Sequence, residues 1–445
     1  MVDQRSYIAH HRFGYGLAPN EQPSSDPKGW LIQQLAGWDP AVATSPGNPA
    51  ELVSQMQAAA DADMRRNFYD AYRARIADRV ERARITQTPF VERLVNFWSN
   101  HFAVSADTKV TRSLAPDYED SAIRPHVTGK FADLVLAAET HPAMLVFLDQ
   151  SRSVGPNSVL GRWRSAQERR NSGINENLAR EIMELHTLGV RSGYVQADVI
   201  ELAKALTGYT VAGLAGGTKA MDDGDAGGFV FEANRHEPGS RVLMGKTYPP
   251  GEANQARAIL LDIAAHQSAA SFVATKLARH FFADAPPADC VSRIADAFHS
   301  SGGDLKTTYL ALINEDAAWQ PGMLKYKSPW DWTVSALRTA GVETPKGNFI
   351  ATWLGRLGQS TWEPGSPAGF PDIQAEWLAS DGLIKRANLA KIISMRKSGA
   401  YDPRDIAAHA FGDQLSDVTR GAVAAAGDKA QGLSLLLMSR DFQWR

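Results

Sequence analysis

One stretch of the chain, INENLAREIMELHTLGV, carries side chains that can do acid–base chemistry. Four polar residues recur about one helical turn apart: Asn177, Arg180, Glu181 and Glu184. At about 100° per residue they share one face of a helix, whereas His186 falls on the opposite, apolar face. In a partly buried cleft, neighbouring carboxyl groups can differ in pKa, so that one is protonated and the other ionised. The spacing therefore predicts Glu181 and Glu184 as a catalytic pair for hydrolysis.

A turn further along the chain, His236-Glu237-Pro238-Gly239, is the second source of chemistry. A His-Glu pair at a loop tip is explained either by turn chemistry or by a functional site. We predict His236 as a third catalytic residue. Glycosidase carboxyl groups lie roughly 5 to 10 Å apart. If Glu181 and Glu184 are closer than this, Glu237 or Asp149 is the alternative partner.

The substrate-binding residues that we expect are Asn177, Arg180, Arg124, His126 and Trp362. Arg124 and His126 interrupt apolar helices, where polar groups either tie helix ends together or line a pocket. Trp362 lies in GQSTWEPGSPAGFPD, a loop rich in Pro, Gly and aromatic residues of the kind that covers an opening. Together with the eleven tryptophans of the chain, this loop favours a glycan substrate.

A divalent metal is an alternative cofactor. Carboxylate and imidazole groups bind hard or borderline divalent ions, and the candidate ligands are His101, Glu181, Glu184 and His236. The pattern differs from two known arrangements. No HExxH segment occurs, and His186 follows Glu184 by two residues instead of three. The sequence leaves metal-dependent and metal-free hydrolysis open.

The same polar residues also have a structural interpretation. A helix with one polar and one apolar face is most often half-solvated, and a lone histidine such as His101 on an apolar face is more often a hydrogen-bonded core residue than a ligand. The third function class is therefore a non-catalytic binding or accessory protein that acts with a partner. The enzyme classes require Glu181, Glu184 and His236 to converge on an open cavity. We expect Glu181→Gln or Glu184→Gln to abolish function, with stability kept within about 1 kcal/mol.

The elements that position these residues are mainly helices. Apolar periodicity recurs along most of the chain, and strand patterns are scarce. We predict a single large multi-helical domain over residues 1–445, with long loops at 150–173 and 211–228. The best strand pattern predicts a small β-hairpin within 229–247, in which Phe229–Glu232 pairs with Val242–Thr247. The fold class is therefore mainly α.

Composition excludes several classes of protein. The formal net charge is −2, which does not indicate a nucleic-acid binder. Cys290 is the single cysteine, so an intrachain disulfide and a cysteine-based metal site are both ruled out. No window approaches the ~20 apolar residues of a transmembrane segment. The chain as given shows no signal peptide, so we expect a cytoplasmic protein, with periplasmic or secreted as the alternative. The oligomeric state is left open.

Several segments together resemble one bacterial family, domain of unknown function 1800 (DUF1800). They include RFGYGL, IRPHVTGKFADL, NENLAREIMELHTLGV, GYVQADVIELAKALTGYT, HEPGSRVLMG, FVATKLARHFF and KSPWDWTVSALR. The resemblance spans nearly the whole chain and implies a mainly helical bacterial protein whose activity family membership does not settle. It also implies a partner, since members are often encoded beside a DUF1501 protein. Members often carry export signals, and this chain departs from that pattern.

Overall fold

The computed structural model describes residues 4–39, 62–167, 173–190, 192–213, 227–322, 324–346, 348–397 and 401–445. Within these ranges the protein has 22 α-helices and two small pairs of strands, so the predicted fold class, mainly α, is confirmed. The helices that precede residue 170 are α1 (Gln4–Ile8), α2 (Pro27–Ala36), α3 (Ala62–Ile85), α4 (Pro89–His101), α5 (Lys109–Tyr118), α6 (Phe131–Thr140), α7 (Pro142–Phe147) and α8 (Val159–Ala166).

The remaining helices fill most of the second half of the chain. They are α9 (Asn177–Glu181), α10 (Gln196–Leu206), α11 (Ala253–Ala264), α12 (Gln267–Phe281), α13 (Ala288–Ser300), α14 (Leu305–Asn314), α15 (Pro329–Ala340), α16 (Asn348–Arg356), α17 (Gln374–Trp377), α18 (Ser380–Arg396), α19 (Pro403–Phe411), α20 (Asp417–Ala424), α21 (Lys429–Met438) and α22 (Arg440–Gln443). Three π-helical turns, at Ala9–Phe13, Glu119–Ile123 and Ile182–His186, continue α1, α5 and α9. Such turns are rare and are often found at functional sites.

The strands pair differently from the prediction. The predicted hairpin joined Phe229–Glu232 to Val242–Thr247, and this pairing is wrong. Strand β2 (Phe229–Phe231) instead pairs antiparallel with β1 (Tyr209–Val211). Strands β3 (Arg241–Leu243) and β4 (Lys246–Tyr248) form a separate hairpin. The alternation of apolar residues identified strands at both places, but it carries no information about which strand is the neighbour.

The two predicted long loops have different outcomes. The segment 150–173 was predicted to lack regular structure, and this is wrong, because it contains a 3₁₀ turn and α8. The Ser158 hydroxyl accepts a hydrogen bond from the Gly161 amide and so caps that helix. Most of the loop at 211–228, residues 214–226, lies outside the described residues. The single-domain assignment of residues 1–445 stays a prediction.

Buried apolar side chains form two clusters. The first includes α4 and α12. On α4, Phe90, Leu94, Phe97 and Trp98 are all buried, so the helix has the apolar face on which His101 was expected to lie. The second cluster centres on α15, whose residues are buried along its whole length. No single described helix is long and apolar enough to cross a bilayer. Among the described residues, one helix pair, α11–α12, has the length and composition of a span, but it is bent by 61° between its two helices.

Candidate functional site

A cleft with a volume of about 230 Å³ lies where the two apolar clusters meet. One wall is the carboxyl end of α4, the second is the last two turns of α12, and the third is the start of α15. The loop 359–373 closes the remaining side. Aromatic rings from α4, α15 and the loop line the space: Phe97, Trp330, Trp362 and Phe370. A small concave site with apolar walls and a few polar groups is the usual form of a ligand pocket.

The loop is held against α4 by Asn100. The amide of Phe370 donates to Asn100 Oδ1 at 2.7 Å, and Asn100 Nδ2 donates to the Phe370 carbonyl at 2.9 Å. Gly369 has φ +76°, and a Cβ built there would lie 2.2 Å from the Asn100 carbonyl oxygen. Glycine is therefore required where the loop approaches the end of α4. The loop is a fixed wall of the cleft.

Trp362 is fixed at the other end of the same loop. Its Nε1 donates to Glu119 at 3.1 Å, and its carbonyl accepts from the Ala106 amide at 2.7 Å. Its φ of +55° is rare for a residue with a large side chain and is often found where function constrains the backbone. Glu119 also binds Arg79, which stacks on Trp330 at 4.1 Å. The aromatic side of the cleft is thus anchored by a buried ion pair.

The two carboxylates that line the cleft are paired with buried, positively charged side chains. Asp331 pairs with Arg93 at 2.9 Å and with Arg445 at 3.3 Å. Burial alone would raise the pKa of Asp331, but these arginines outweigh burial and its pKa is lowered. Asp372 accepts from His280 Nδ1 at 2.8 Å and pairs with Lys325 at 3.2 Å.

Asp372 and His280 form a coupled pair in the wall of the cleft. Burial would raise the pKa of Asp372, yet the positive charges around it hold that pKa well below its usual range. Burial lowers the pKa of His280, against the effect of Asp372, so the imidazole is neutral at pH 7. A neutral imidazole that donates from Nδ1 keeps a lone pair on Nε2, which makes no hydrogen bond to the described residues.

Lys276 and Arg279 lie one turn apart on α12 and both line the cleft. Neither makes an ion pair with a carboxylate of the described residues, although Lys276 lies over the Phe272 ring at 5.4 Å. Burial lowers the pKa of Lys276 to about 8, with Asp372 opposing and Arg279 adding to the shift. A lysine with a pKa close to the working pH, half-buried in a cleft, is a candidate for proton transfer.

Two residues predicted from the sequence belong to this cleft, Trp362 and His101. His101 is buried, as predicted, and its Nε2 lies 2.9 Å from the His186 carbonyl oxygen. Burial lowers its pKa well below the usual range, so it is a neutral core histidine in the wall. The aromatic loop around Trp362 was predicted to cover an opening, and it lines one.

The predicted Glu pair lies elsewhere. Arg180 contacts Glu184 at 3.3 Å and Glu176 at 3.1 Å, and all three side chains are about one third exposed. Burial raises the pKa of Glu181, with Glu184 adding to the shift and His186 opposing it. His186 itself forms a fully buried pair with a glutamate of α6. Neither predicted acid lines the cleft.

The other predicted residues have separate surroundings. His236 Nδ1 lies 2.9 Å from the Thr207 carbonyl oxygen, and no described contact joins His236 to Glu181 or Glu184. Arg124 is buried and binds both oxygens of Glu92, at 2.7 and 2.8 Å. The remaining two are Asn177, which is exposed at the start of α9, and His126, which lines a different, more open cleft with Asp133 and Tyr209. The structure therefore does not bring these residues together.

The candidate metal ligands do not converge either. Among the described residues there is no group of three or more His, Cys, Asp or Glu side chains that could hold a metal ion. His101 and His236 each face a backbone carbonyl, and Glu184 faces an arginine. The metal site predicted from His101, Glu181, Glu184 and His236 is therefore not supported by the geometry.

The sequence reasoning missed most of the cleft, including the residues that could do chemistry there: Lys276, Arg279, His280 and Asp372. A signal for the first three was present in FVATKLARHFF, since polar residues at i, i+3 and i+4 share one face of a largely apolar helix. Nothing in the sequence around Asp372 indicated that this loop acid would reach α12.

Comparison with known protein families gives a match over nearly the whole chain. A family model described as "Protein of unknown function (DUF1800)" matches residues 8–444. Neither a curated protein nor a solved structure matches the chain. The family match runs through α4, α12, α15 and the aromatic loop, so it includes every wall of the cleft. The chain belongs to the DUF1800 family.

Proposed function

We propose that this protein is a hydrolase whose active site is the cleft between α4, α12 and the aromatic loop, with Lys276 as the general base. The observation that carries the proposal is the half-buried ammonium of Lys276, which makes no ion pair with the described residues and whose pKa is lowered to about 8. A base is most effective when its pKa is near the operating pH.

The proposed step is a proton transfer that activates water. The neutral amine of Lys276 takes a proton from a water molecule, and the hydroxide adds to the electrophilic carbon or phosphorus of the substrate. The bond to the leaving group then breaks, and the leaving group departs with the proton that Lys276 returns. Asp372 and His280 act as positioning residues, because they fix the loop wall next to α12. The aromatic rings exclude bulk water and strengthen electrostatic interactions in the site.

The paired-acid hydrolase and its glycan substrate remain an alternative within the same reaction class. Its support is the raised pKa of Glu181, which is the direction needed for a general acid. Against it stands the ion pair of Glu184 with Arg180, which satisfies the second acid. A panel of chromogenic esters, amides, phosphates and glycosides tests both versions.

The panel is measured with the wild type, Lys276→Met and Lys306→Met. Methionine keeps the unbranched apolar part of the side chain and removes the base, so we expect kcat to fall by about 100-fold or more. Lys306 is exposed on α14 and makes no described ion pair, so its variant serves as the matched control. Circular dichroism melting shows whether each variant is folded. Full activity in a folded Lys276→Met variant would refute the assignment of the base.

The pH profile gives a second test of Lys276. The active form is the neutral amine, and a lysine whose pKa is lowered to about 8 loses its proton as pH rises through that value. We expect kcat/KM to increase from pH 6 to about 8 and to level off above it, because kcat/KM reports the free enzyme. A profile that is flat across this range, or that falls with increasing pH, would contradict the proposal.

A binding or accessory protein is the second candidate, and the internal partners of Glu184 and His236 favour it. On this view the cleft binds a ligand without turnover, and the protein acts with a partner such as a DUF1501 protein. Saturable binding of such a partner by sedimentation, with no turnover anywhere in the panel, would support it over the enzyme.

A further inference from the structure

The cleft has an unbalanced charge on its wall. Five charged side chains line it: Arg79, Lys276, Arg279, Asp331 and Asp372. Arg79, Asp331 and Asp372 already form ion pairs with residues inside the fold, at distances of 2.7 to 3.2 Å. Lys276 and Arg279 have no such partner among the described residues. The surface that faces a ligand is therefore positive, even though the whole chain has a net charge of −2.

Arg279 is the donor best suited to a ligand. Its Nε donates to the Asp284 backbone carbonyl at 3.3 Å, which orients the guanidinium without neutralising it. Its two terminal nitrogens make no hydrogen bond or ion pair with the described residues. A guanidinium presents its donors in a planar fork that matches the two oxygens of a carboxylate or phosphate.

The rest of the cleft suits an apolar group. Phe97, Trp330, Trp362 and Phe370 form the walls, and the space of about 230 Å³ limits the ligand to a small molecule. An aromatic ring next to Arg279 would remove apolar surface from water while its anionic group paired with the guanidinium. Burying an unpaired guanidinium under an uncharged ligand would instead cost desolvation energy.

We infer that the substrate of this cleft is a small anion with an aromatic or other flat apolar part, whose carboxylate or phosphate is bound by Arg279. The ligand class rests on the proposed function, because both concern the same cleft. Arg279 supplies affinity and selectivity for the anion, and Lys276 supplies the chemistry. An experiment can therefore contradict the role of Arg279 in binding and leave the role of Lys276 in catalysis unaffected, or the reverse.

The test compares benzoate with benzamide, which has nearly the same shape and no charge. Isothermal titration calorimetry measures each with the wild type, Arg279→Gln, Arg279→Lys and, as a control, Arg162→Gln, which replaces an exposed arginine on α8. We expect benzoate to bind at least about tenfold more tightly than benzamide, since hydrogen bonds between two charged groups are roughly twice as strong as those between neutral groups. Arg279→Gln should remove that preference, Arg279→Lys should keep part of it, and the control should match the wild type.

A titration at about pH 9 separates the two cations. Lys276, with its pKa lowered to about 8, is then mostly neutral, whereas the guanidinium of Arg279 stays charged. The preference for benzoate should persist at this pH. Phenyl phosphate in place of benzoate distinguishes a phosphate from a carboxylate as the preferred anion.

Two results would overturn the inference. One is equal binding of benzoate and benzamide by the wild type, and the other is a preference for benzoate that a folded Arg279→Gln variant retains. If Arg279→Gln does not fold, the inference is tested with Arg279→Lys, which should show a reduced preference for benzoate over benzamide. An unreduced preference in that variant would overturn the inference. An anion preference that depends on Arg279, found together with no turnover in the substrate panel, would refute the hydrolase and leave the ligand class standing.

Discussion

At the scale of the residue, the partners of a side chain decide its role. Arg124 and Arg279 are the same residue type, and both lie near helix ends. Arg124 binds Glu92 with both terminal nitrogens and is fully buried, so a ligand cannot reach its guanidinium. Arg279 uses only its Nε and keeps its terminal nitrogens for the cleft. Arg124 was the residue predicted to bind substrate, and the contacts favour Arg279.

The Glu pair allows a prediction at this scale. Glu184→Gln removes a partly exposed ion pair with Arg180, so the free energy of unfolding should change by less than about 1 kcal/mol. With the active site in the cleft, Glu181→Gln and Glu184→Gln should both keep their activity. Urea unfolding and the substrate panel measure the two quantities. Loss of activity in both variants at unchanged stability would move the active site to α9, as the sequence first indicated.

At the scale of the element, one face of α12 and one loop create the cleft. Lys276, Arg279 and His280 project from consecutive turns of α12, whose apolar face is buried in the first apolar cluster. The loop contains no helix or strand, and its own backbone hydrogen bonds include only short turns such as Gly369 to Ser366. Its contacts with Asn100, Glu119 and Ala106 attach it to the rest of the fold. Loops that carry binding or catalytic residues are commonly positioned in this way by a rigid scaffold.

Two glycines of the loop give a matched pair of variants. Gly365 and Gly369 both have positive φ, +71° and +76°, but a Cβ at Gly365 meets open space, whereas one at Gly369 meets Asn100. Gly365→Ala should cost about 1 kcal/mol from backbone strain alone. Gly369→Ala adds a clash with backbone and should also displace the wall of the cleft. Urea unfolding and benzoate titration should both show the larger effect for Gly369→Ala, and equal effects would contradict the role of this contact.

At the scale of the whole molecule, neutral histidines are buried close to a dense set of charges. Burial lowers the pKa values of His10 and His11 to about 3, and nearby cations add to both shifts. The unfolded chain therefore binds protons between pH 6.5 and about 3 that the folded chain does not. This part of the stability is present above pH 6.5 and is lost as pH falls.

The resulting prediction concerns acid stability. From pH 7 to 4, the free energy of unfolding should decrease, with each histidine contributing a slope of up to about 1.4 kcal/mol per pH unit. His11→Phe, which keeps the stacking on Phe411, should reduce that slope, and His299→Gln at an exposed position should not. Urea titrations at several pH values measure the slope. An unchanged slope in His11→Phe would show that other groups control acid unfolding.

The sequence by itself determined the features that depend on residues close together in the chain. The 3.6-residue period predicted the helices, the buried face of α4 and the burial of His101. The family resemblance also depends on local segments, and it is confirmed over residues 8–444.

Only the tertiary structure decided which strands pair and where the cleft lies. Strand β2 pairs with β1 across the segment 212–228 and not with the nearer β3, and alternation along one strand cannot specify its partner. The cleft joins His101, Lys276 and Asp372, which are far apart in the chain. The net charge of the cleft wall depends on the ion pairs that Lys325, Arg93 and Arg445 form with its acids. Electrostatic interactions act through space, so the ionic character of this site exists only once the chain is folded.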